Sequence, residues 1–504
     1  MRAITRPRGL LAVLGIAGLV ALVLAGCGAT SSNTDSSSAS ASAGGGSTKC
    51  GGGEALTGKG KAVPAMPEPN PEMSKWGQSE KDECVYEGPG DYSIDLSKCP
   101  SNWNINQGIT ENSIKFFTSA PHSGVYAAYG GIEDGAKSYF DYVNEHGGVD
   151  GRKIEYEIMD DQYEPSILAQ NVNKAMQSGE YAASFAMFGG AGPLAVRDQM
   201  NKGCEGEYML ATSAGEFFDP QGYPWTTAFG LNRYNETEMW AQFLEEKFPQ
   251  GTKIAMISME GDLGESYTSA FERAVKGTDL EIIKNEVFSA TAPNITNQVT
   301  TAAATKAPVV ILNVAGTYCT QGLADIEKSS WHPVIISGNA CAQISTTYAP
   351  LKEDGATGNG SYTVRYYATP GDNDVESPEY VSIYEKTLKE QGLEASNAQY
   401  ANGWWWGWDL VQVLQDAARM KGGLNRANIN IAAHSYTSHW PLLMKGVEGK
   451  LEGVEKAFPY QAGRVDEYTG ASGSKLGEWK SASPLYNYAG ELKNYQQVVE
   501  EEKG

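Results

Sequence analysis

The chain has 504 residues, 61 of them acidic against 39 basic, for a formal net charge of −22. A polyanion without clustered Lys and Arg cannot neutralise phosphates, which excludes a nucleic-acid partner. Acidity on this scale keeps a surface soluble without naming a ligand, and the length alone points to more than one domain.

Arg2, Arg6 and Arg8 precede an apolar, small-residue run over 9–26 that ends in Leu24-Ala25-Gly26-Cys27. A basic start, an apolar stretch and small residues before a cut describe a secretory signal over 1–26, and the run is near the lower limit for a spanning helix. Its end resembles the lipobox of bacterial lipoproteins. That resemblance implies diacylglycerol on Cys27, a lipid anchor, and residence on the outer face of the cell membrane. Loss of 1–26 removes three Arg and no acid, moving the net charge from −22 to −25. Of the seven cysteines, six remain once the lipidated Cys27 is set aside, an even set that suggests disulfides in an exported chain.

Residues 27–49 are rich in Ser, Gly and Ala, a flexible tether. Residues 50–108 hold Cys50, Cys84 and Cys99 with Pro64, Pro67, Pro69 and Pro71, and read as an irregular, disulfide-pinned extension. Alternation begins at Ile109. A strand at 114–117 leads into His122-Ser123-Gly124, and Ile132, Ala136, Tyr139, Phe140 and Val143 mark one buried helix face. A strand at 154–159, a helix at 165–177 and a strand at 182–188 complete two β-α-β units, the signature of a largely parallel sheet. The pattern restarts at 253–258, with helices at 264–276, 294–306 and 321–328 and strands at 309–314 and 334–337. An extended stretch follows at 361–367, then a long helix at 397–420 and a loop-rich remainder.

The segment Ser123-Gly124, Tyr129-Gly130, Asn144, Gly147-Gly148-Val149, Gly151-Arg152-Lys153-Ile154 and Asp160-Asp161 resembles the opening of type I periplasmic solute-binding proteins of the branched-chain amino-acid (Leu/Ile/Val) kind. The resemblance implies an α/β fold of two Rossmann-like lobes with parallel sheets, joined by three crossing segments near Gly230, Gly358 and Pro441. Lobe one would be 109–228 plus 357–440, lobe two 229–356 plus 441–487, with 488–504 as a tail. The loops after two neighbouring strands would then bring Cys319 and Cys341 within disulfide reach. The implied role is capture of a small solute (amino acid, aromatic acid or related carboxylate or amide) for the membrane permease of an ABC importer.

In open α/β sheets, ligands bind beyond the carboxyl ends of strands, where helix N-termini present backbone N–H groups. Ser123, Gly190 with Ala191, and Ala214, Gly215 and Glu216 stand in such loops of the first block, a setting that suits a carboxylate. Each also reads as plain turn chemistry. Relatives place an aromatic wall at the position of Tyr129. Asp262, Tyr318 and Asn339 would close from the second lobe. Relatives commonly carry an acid where Asn339 stands, so an α-ammonium would need Glu216 or Asp262 instead. Tyr400 and Trp404 share a face of the long helix and are placed at the cleft, though core packing explains most of the Trp404-Trp405-Trp406-Gly407-Trp408 cluster.

The reading calls for no cofactor and no metal. Five histidines form no HExxH, no GxSxG elbow is present, and His434 and His439 read as solvated. An enzyme is therefore disfavoured. A ligand-sensing receptor subunit using the same clamp and a non-binding envelope lipoprotein are the alternatives.

Overall fold

The computed structural model describes residues 49–503 apart from Val125, Gly371, Asn373 and Asp374, and leaves out the side chain of Glu502. The leader, Cys27 and the tether up to residue 48 lie outside the described residues.

The first α/β block runs β1 (Ser113–Ala120), α1 (Gly131–Glu145), β2 (Lys153–Asp160), α2 (Pro165–Ser178), β3 (Ala183–Phe185), α3 (Ala191–Gly203), β4 (Gly206–Leu210) and β5 (Thr226–Ala228). Its strands lie in the order β2-β1-β3-β4-β5, every pair parallel. β3, β4 and β5 are buried throughout, as a parallel sheet covered on both faces requires. Proline opens α2, where a missing N–H costs nothing, and Gly179 ends it in the left-handed region.

The second block runs α4 (Arg233–Lys247), β6 (Thr252–Met259), α5 (Asp262–Ala274), β7 (Leu280–Phe288), α6 (Thr296–Ala304), β8 (Val309–Asn313), α7 (Thr317–Lys328), β9 (Val334–Ser337) and β10 (Ser361–Arg365). The Asn232 side chain caps α4 by accepting from the Asn235 N–H. The chain then returns to the first lobe through α8 (Pro378–Glu390), α9 (Ala398–Arg419) and α10 (Arg426–Ala433). It goes back to the second sheet as β11 (Ala462–Thr469), β12 (Glu478–Ser481) and β13 (Tyr486–Asn487), and ends in α11 (Tyr495–Lys503). The second sheet has the order β7-β6-β8-β9-β10-β11-β12, with β13 also on β11. It is parallel as far as β10 and antiparallel beyond.

Several expectations need correction. β10 pairs with β9, so it belongs to the second sheet, and the crossing falls at Tyr366–Ala368 rather than near Gly358. The stretch after Pro441 stays beside the first lobe, where Leu451 N–H bonds Tyr436 O and Gly453 N–H bonds His434 O; the third crossing comes at Tyr460. The loop-rich remainder contains α10, five strands (β11, β12, β13 and the short antiparallel pair Thr437–Ser438 and Gly449–Lys450) and α11. The tail is no free end, since Tyr495 N–H bonds Phe218 O and Glu501 pairs with Arg273 of α5. His439 is exposed as expected, but His434 is buried against Tyr92, ring centroids 4.3 Å apart, and burial holds its pKa at about 4.

The extension is more regular than expected. Three short antiparallel strands, Gly77–Gln78, Val85–Glu87 and Ser93–Asp95, form a small sheet. Strands of two or three residues are too short to show a period. Disulfide Cys50–Cys84 closes this module, and Cys99–Cys204 bolts it to the end of α3. It lies along α9, where Asn70 N–H donates to Asp416 Oδ1 at 2.6 Å and Arg419 Nε to Gly58 O at 2.6 Å. On its other side α9 meets α1 nearly backbone to backbone. A Cβ on Gly403 would stand 2.0 Å from Ile132 O, and one on Gly135 2.5 Å from Tyr400 O.

Glu207 of β4 is wholly buried, accepting only from Thr226 Oγ1 at 2.9 Å, and burial raises its pKa to about 8. The unfolded chain releases that proton near pH ~4.3. Across the interval the folded form keeps a proton that the unfolded form has lost, so this group's contribution is full below pH ~4 and declines as pH rises to 8. Glu207→Gln imitates the protonated acid. It is expected to match the parent at pH 4 and to melt several degrees higher at pH 8; equal melting temperatures at pH 8 would contradict this.

Candidate functional site

The two sheets face each other with their strand carboxyl ends inward, and the three crossing segments close one end of the gap. Leu231 N–H donates to Tyr366 Oη at 3.3 Å, Leu231 pairs with Tyr460, and Tyr367 pairs with Leu443. Between the lobes lies a cavity of about 140 Å³.

Loops after β1, β2, β3 and β4 supply the first wall: Tyr126, Tyr129, Tyr163, Phe188, Gly189, Gly190 and residues 211–213. Its rings interlock, with Tyr129 on Phe188 at 4.9 Å and Tyr126 on Tyr163 at 4.4 Å. The second wall comes from β6, α5 and the turn after β9: Met259, Asp262, Leu263, Tyr267, Asn339 and Gln343. Arg233, Tyr366 and Tyr367 rise from the crossings, and Gln399, Asn402 and Trp406 come from α9. The lobes touch across the gap. Gly316 N–H of the second donates to Tyr129 Oη of the first at 2.8 Å, and Tyr126 Oη donates to Met259 Sδ at 3.2 Å.

The charged groups here are paired or buried. Arg233 sits against Asp262, Nη1 to Oδ2 at 3.6 Å and Nη1 to the backbone O at 3.2 Å, with a further bond to Ser266 Oγ. Behind Asn339 lies Glu236, wholly buried. It accepts from Asn339 N–H at 2.7 Å and from Tyr267 Oη at 2.6 Å, and burial raises its pKa to about 7. Burial likewise raises the Tyr163 phenol to about 12. Three polar atoms of the lining are buried without a hydrogen-bond partner: Asn402 Oδ1, Gln343 Oε1 and Arg233 Nε.

Of the residues expected at the site, Tyr129, Gly190, Asp262 and Asn339 line the cavity. Ser123 does not; its hydroxyl donates to Asp160 Oδ2 at 2.6 Å. Ala191 is the first residue of α3, beyond the lining. Ala214, Gly215 and Glu216 are also outside it, because the chain leaves the cavity at Ser213 and turns into a short 3-10 helix at Gly215–Phe217. Tyr318 points back into its own lobe, donating to Ala290 O and Ala292 O. Trp404 is core, bonded through Nε1 to Ser138 Oγ at 3.1 Å. Tyr400 shares that side of α9, its backbone against Gly135. The cleft face of α9 is the one carrying Gln399, Asn402 and Trp406, spaced by three and four residues. The Cys319–Cys341 disulfide forms as the resemblance implied and ties the start of α7 to the turn bearing Asn339. Among the described residues no group of His, Cys, Asp and Glu is arranged to hold a metal.

No curated protein matches the chain. Solved structures match it well in fold at low identity. The fatty acid ABC transporter substrate-binding protein from Thermomonospora curvata is 18% identical over 77% of this chain and 96% of its own, TM-score 0.62. A branched chain amino acid ABC transporter structure from Thermus thermophilus, with bound valine, is 12% identical over 77% and 99%, TM-score 0.64. An ABC transporter solute binding protein from R. palustris in complex with 4-hydroxybenzoate is 13% identical over 77% and 100%, TM-score 0.62. A family model described as periplasmic binding protein matches residues 113–452. With two thirds of its length so matched and two parallel-sheet lobes enclosing a cavity, the chain belongs to the periplasmic binding protein family and is a solute-binding protein.

Proposed function

We propose that this chain is the substrate-binding lipoprotein of an ABC importer, anchored through Cys27 outside the cell membrane, and that it captures one small solute in the interlobe cavity. The observation that carries the reading is the cavity itself, walled by both lobes and by their crossings, with hydrogen bonds running between lobes at its rim. Solute held by the first wall gains contacts from the second only when the lobes close, and that difference in affinity is what stabilises closure. Of the relatives named above, one is a fatty acid transporter's binding protein, one has bound valine and one is in complex with 4-hydroxybenzoate, so the fold accommodates varied chemistry. The loaded clamp then docks on the permease within reach of the tether.

A thermal-shift panel of amino acids, aromatic acids, amides and short peptides, followed by calorimetry, tests this. Solute at 100 times its Kd should stabilise the protein by about 2.7 kcal/mol. Asn339→Ala is expected to weaken binding roughly tenfold, since one lining hydrogen bond is worth about 1 kcal/mol before the unpaired partner is counted. Its circular dichroism should be unchanged. A screen in which no solute shifts the melting temperature would end the reading.

A further inference from the structure

The charge arrangement inside the cavity narrows the class of solute. This step rests on the solute-binding reading of the same cavity. A carboxylate entering a site of this geometry would seek three things: a free cation, a helix N-terminus, and polar hydrogens on the wall. The cation of the lining, Arg233, is already met by Asp262. The N-terminal end of α3 is met by the same side chain. Gly190 caps that helix, and a Cβ on it would stand 2.1 Å from Asp262 Oδ2 and 2.4 Å from Cγ, so the carboxylate fills the space beside the cap. Asp262 is moreover the first residue of α5, where its charge is favoured by that helix's own dipole. The second lobe thus brings its own carboxylate to the place a ligand's carboxylate would occupy.

The remaining polar groups are neutral. Asn402 and Gln343 line the cavity, are each about nineteen-twentieths buried, and each hold one amide oxygen that has no partner. A buried amide left without a partner is costly, and a ligand carrying N–H or O–H groups removes that cost. The apolar remainder is aromatic: Tyr129, Phe188, Trp406 and Tyr367 offer ring faces and edges to a flat molecule. Size sets the last limit. A cavity of about 150 Å³ holds one benzene ring, and this one measures about 140 Å³.

We propose that the cavity selects an uncharged, single-ring solute bearing amide- or hydroxyl-type hydrogen-bonding groups, and that Asp262 is the residue that excludes carboxylates. A carboxylate solute would be buried beside Asp262 with no unpaired cation in the lining, which the low-dielectric interior penalises. An α-amino acid meets the same obstacle, and its ammonium finds Asp262 already committed to Arg233.

The test uses matched pairs on the full mature protein: nicotinamide against nicotinate, 4-hydroxybenzamide against 4-hydroxybenzoate, with benzylamine as the cation, each by calorimetry at pH 7. The amides are expected to bind at least tenfold more tightly than their acids and than benzylamine. In Asp262→Asn the acid-to-amide affinity ratio within each matched pair should rise at least tenfold, a change of preference that mere loosening of the fold would not give. Asp262→Ser serves as a second variant, and melting temperatures confirm that both are folded. Acids or benzylamine binding more tightly than the amides would overturn this inference and leave solute binding intact. So would an acid-to-amide ratio that rises in neither variant. Silence from every compound overturns it too, and silence across the wider solute screen removes the solute-binding reading with it.

Discussion

Tyr129→Ala is expected to weaken solute binding about 100-fold while the two lobes keep their fold. The ring stacks on Phe188 at 4.9 Å and forms part of the cavity wall, while its hydroxyl accepts the Gly316 N–H from the opposite lobe at 2.8 Å. Phe188 belongs to the same wall and holds the ring in place with or without solute, while the hydrogen bond across the gap contributes about 1 kcal/mol and a solute stacked on the ring about 2 kcal/mol with its buried area. The sum is about 3 kcal/mol, and each 1.4 kcal/mol is tenfold in Kd. The two parts separate experimentally. Tyr129→Phe keeps the wall and loses only the bond across the gap, so it should cost about fivefold, seen as faster dissociation from a less stable closed form. Tyr129 sits in a short 3-10 helix at the cleft rim and not between α1 and the sheet, so circular dichroism should not change. Calorimetry giving the parent's Kd for Tyr129→Ala would show that solute binds elsewhere.

What the sequence made legible was the part governed by period and by strand-end chemistry. The helices and strands of both blocks show themselves through apolar spacing, and the rule that ligands meet strand carboxyl ends picked out Gly190 and Asp262. The long aromatic helix was located correctly but its phase was not. Trp404 and Trp406 are two residues apart on one helix, and only packing against α1 decides which faces the gap. Spacing cannot settle that, because α9 is buried on nearly every side and has no solvent face to orient it. Arg233, Tyr366 and Tyr367 escaped for another reason. They lie on or beside the crossing segments, single strands of chain with no period, whose neighbours are distant in sequence, as Tyr366 is from Leu231 and Leu443 from Tyr367. A buried Arg that opens a helix, one residue after an Asn cap, is the signal that could have found the first of them. Tyr163 also had a local cue: it follows the Asp160-Asp161 pair, and its backbone turns back with φ at 63°, the left-handed region that aims the ring at Tyr126.

Removing the Cys99–Cys204 bridge, as the double variant Cys99→Ser with Cys204→Ser, is expected to destabilise the protein by about 4 kcal/mol without changing Kd. The bond closes a loop of 105 residues that no other disulfide overlaps. In the chain-entropy account a loop of this size restricts the unfolded state by about 4.7 kcal/mol. Around the bridge, Trp103 Nε1 donates to Cys204 O at 2.9 Å, and the buried Arg426 guanidinium lies 4.8 Å over the Trp103 ring. Arg426 also donates to Ala182 O and Asn104 O and pairs with Glu205, so it holds the extension, β3 and the end of α3 at one point. These contacts keep the extension seated after the bridge is lost, at a lower melting temperature. No residue of the extension lines the cavity, so affinity measured well below that temperature should equal the parent's. Urea unfolding with an unshifted midpoint would show that the extension adds nothing to the body it covers. A weakened Kd in the folded variant would show that it steers the cleft from behind α9.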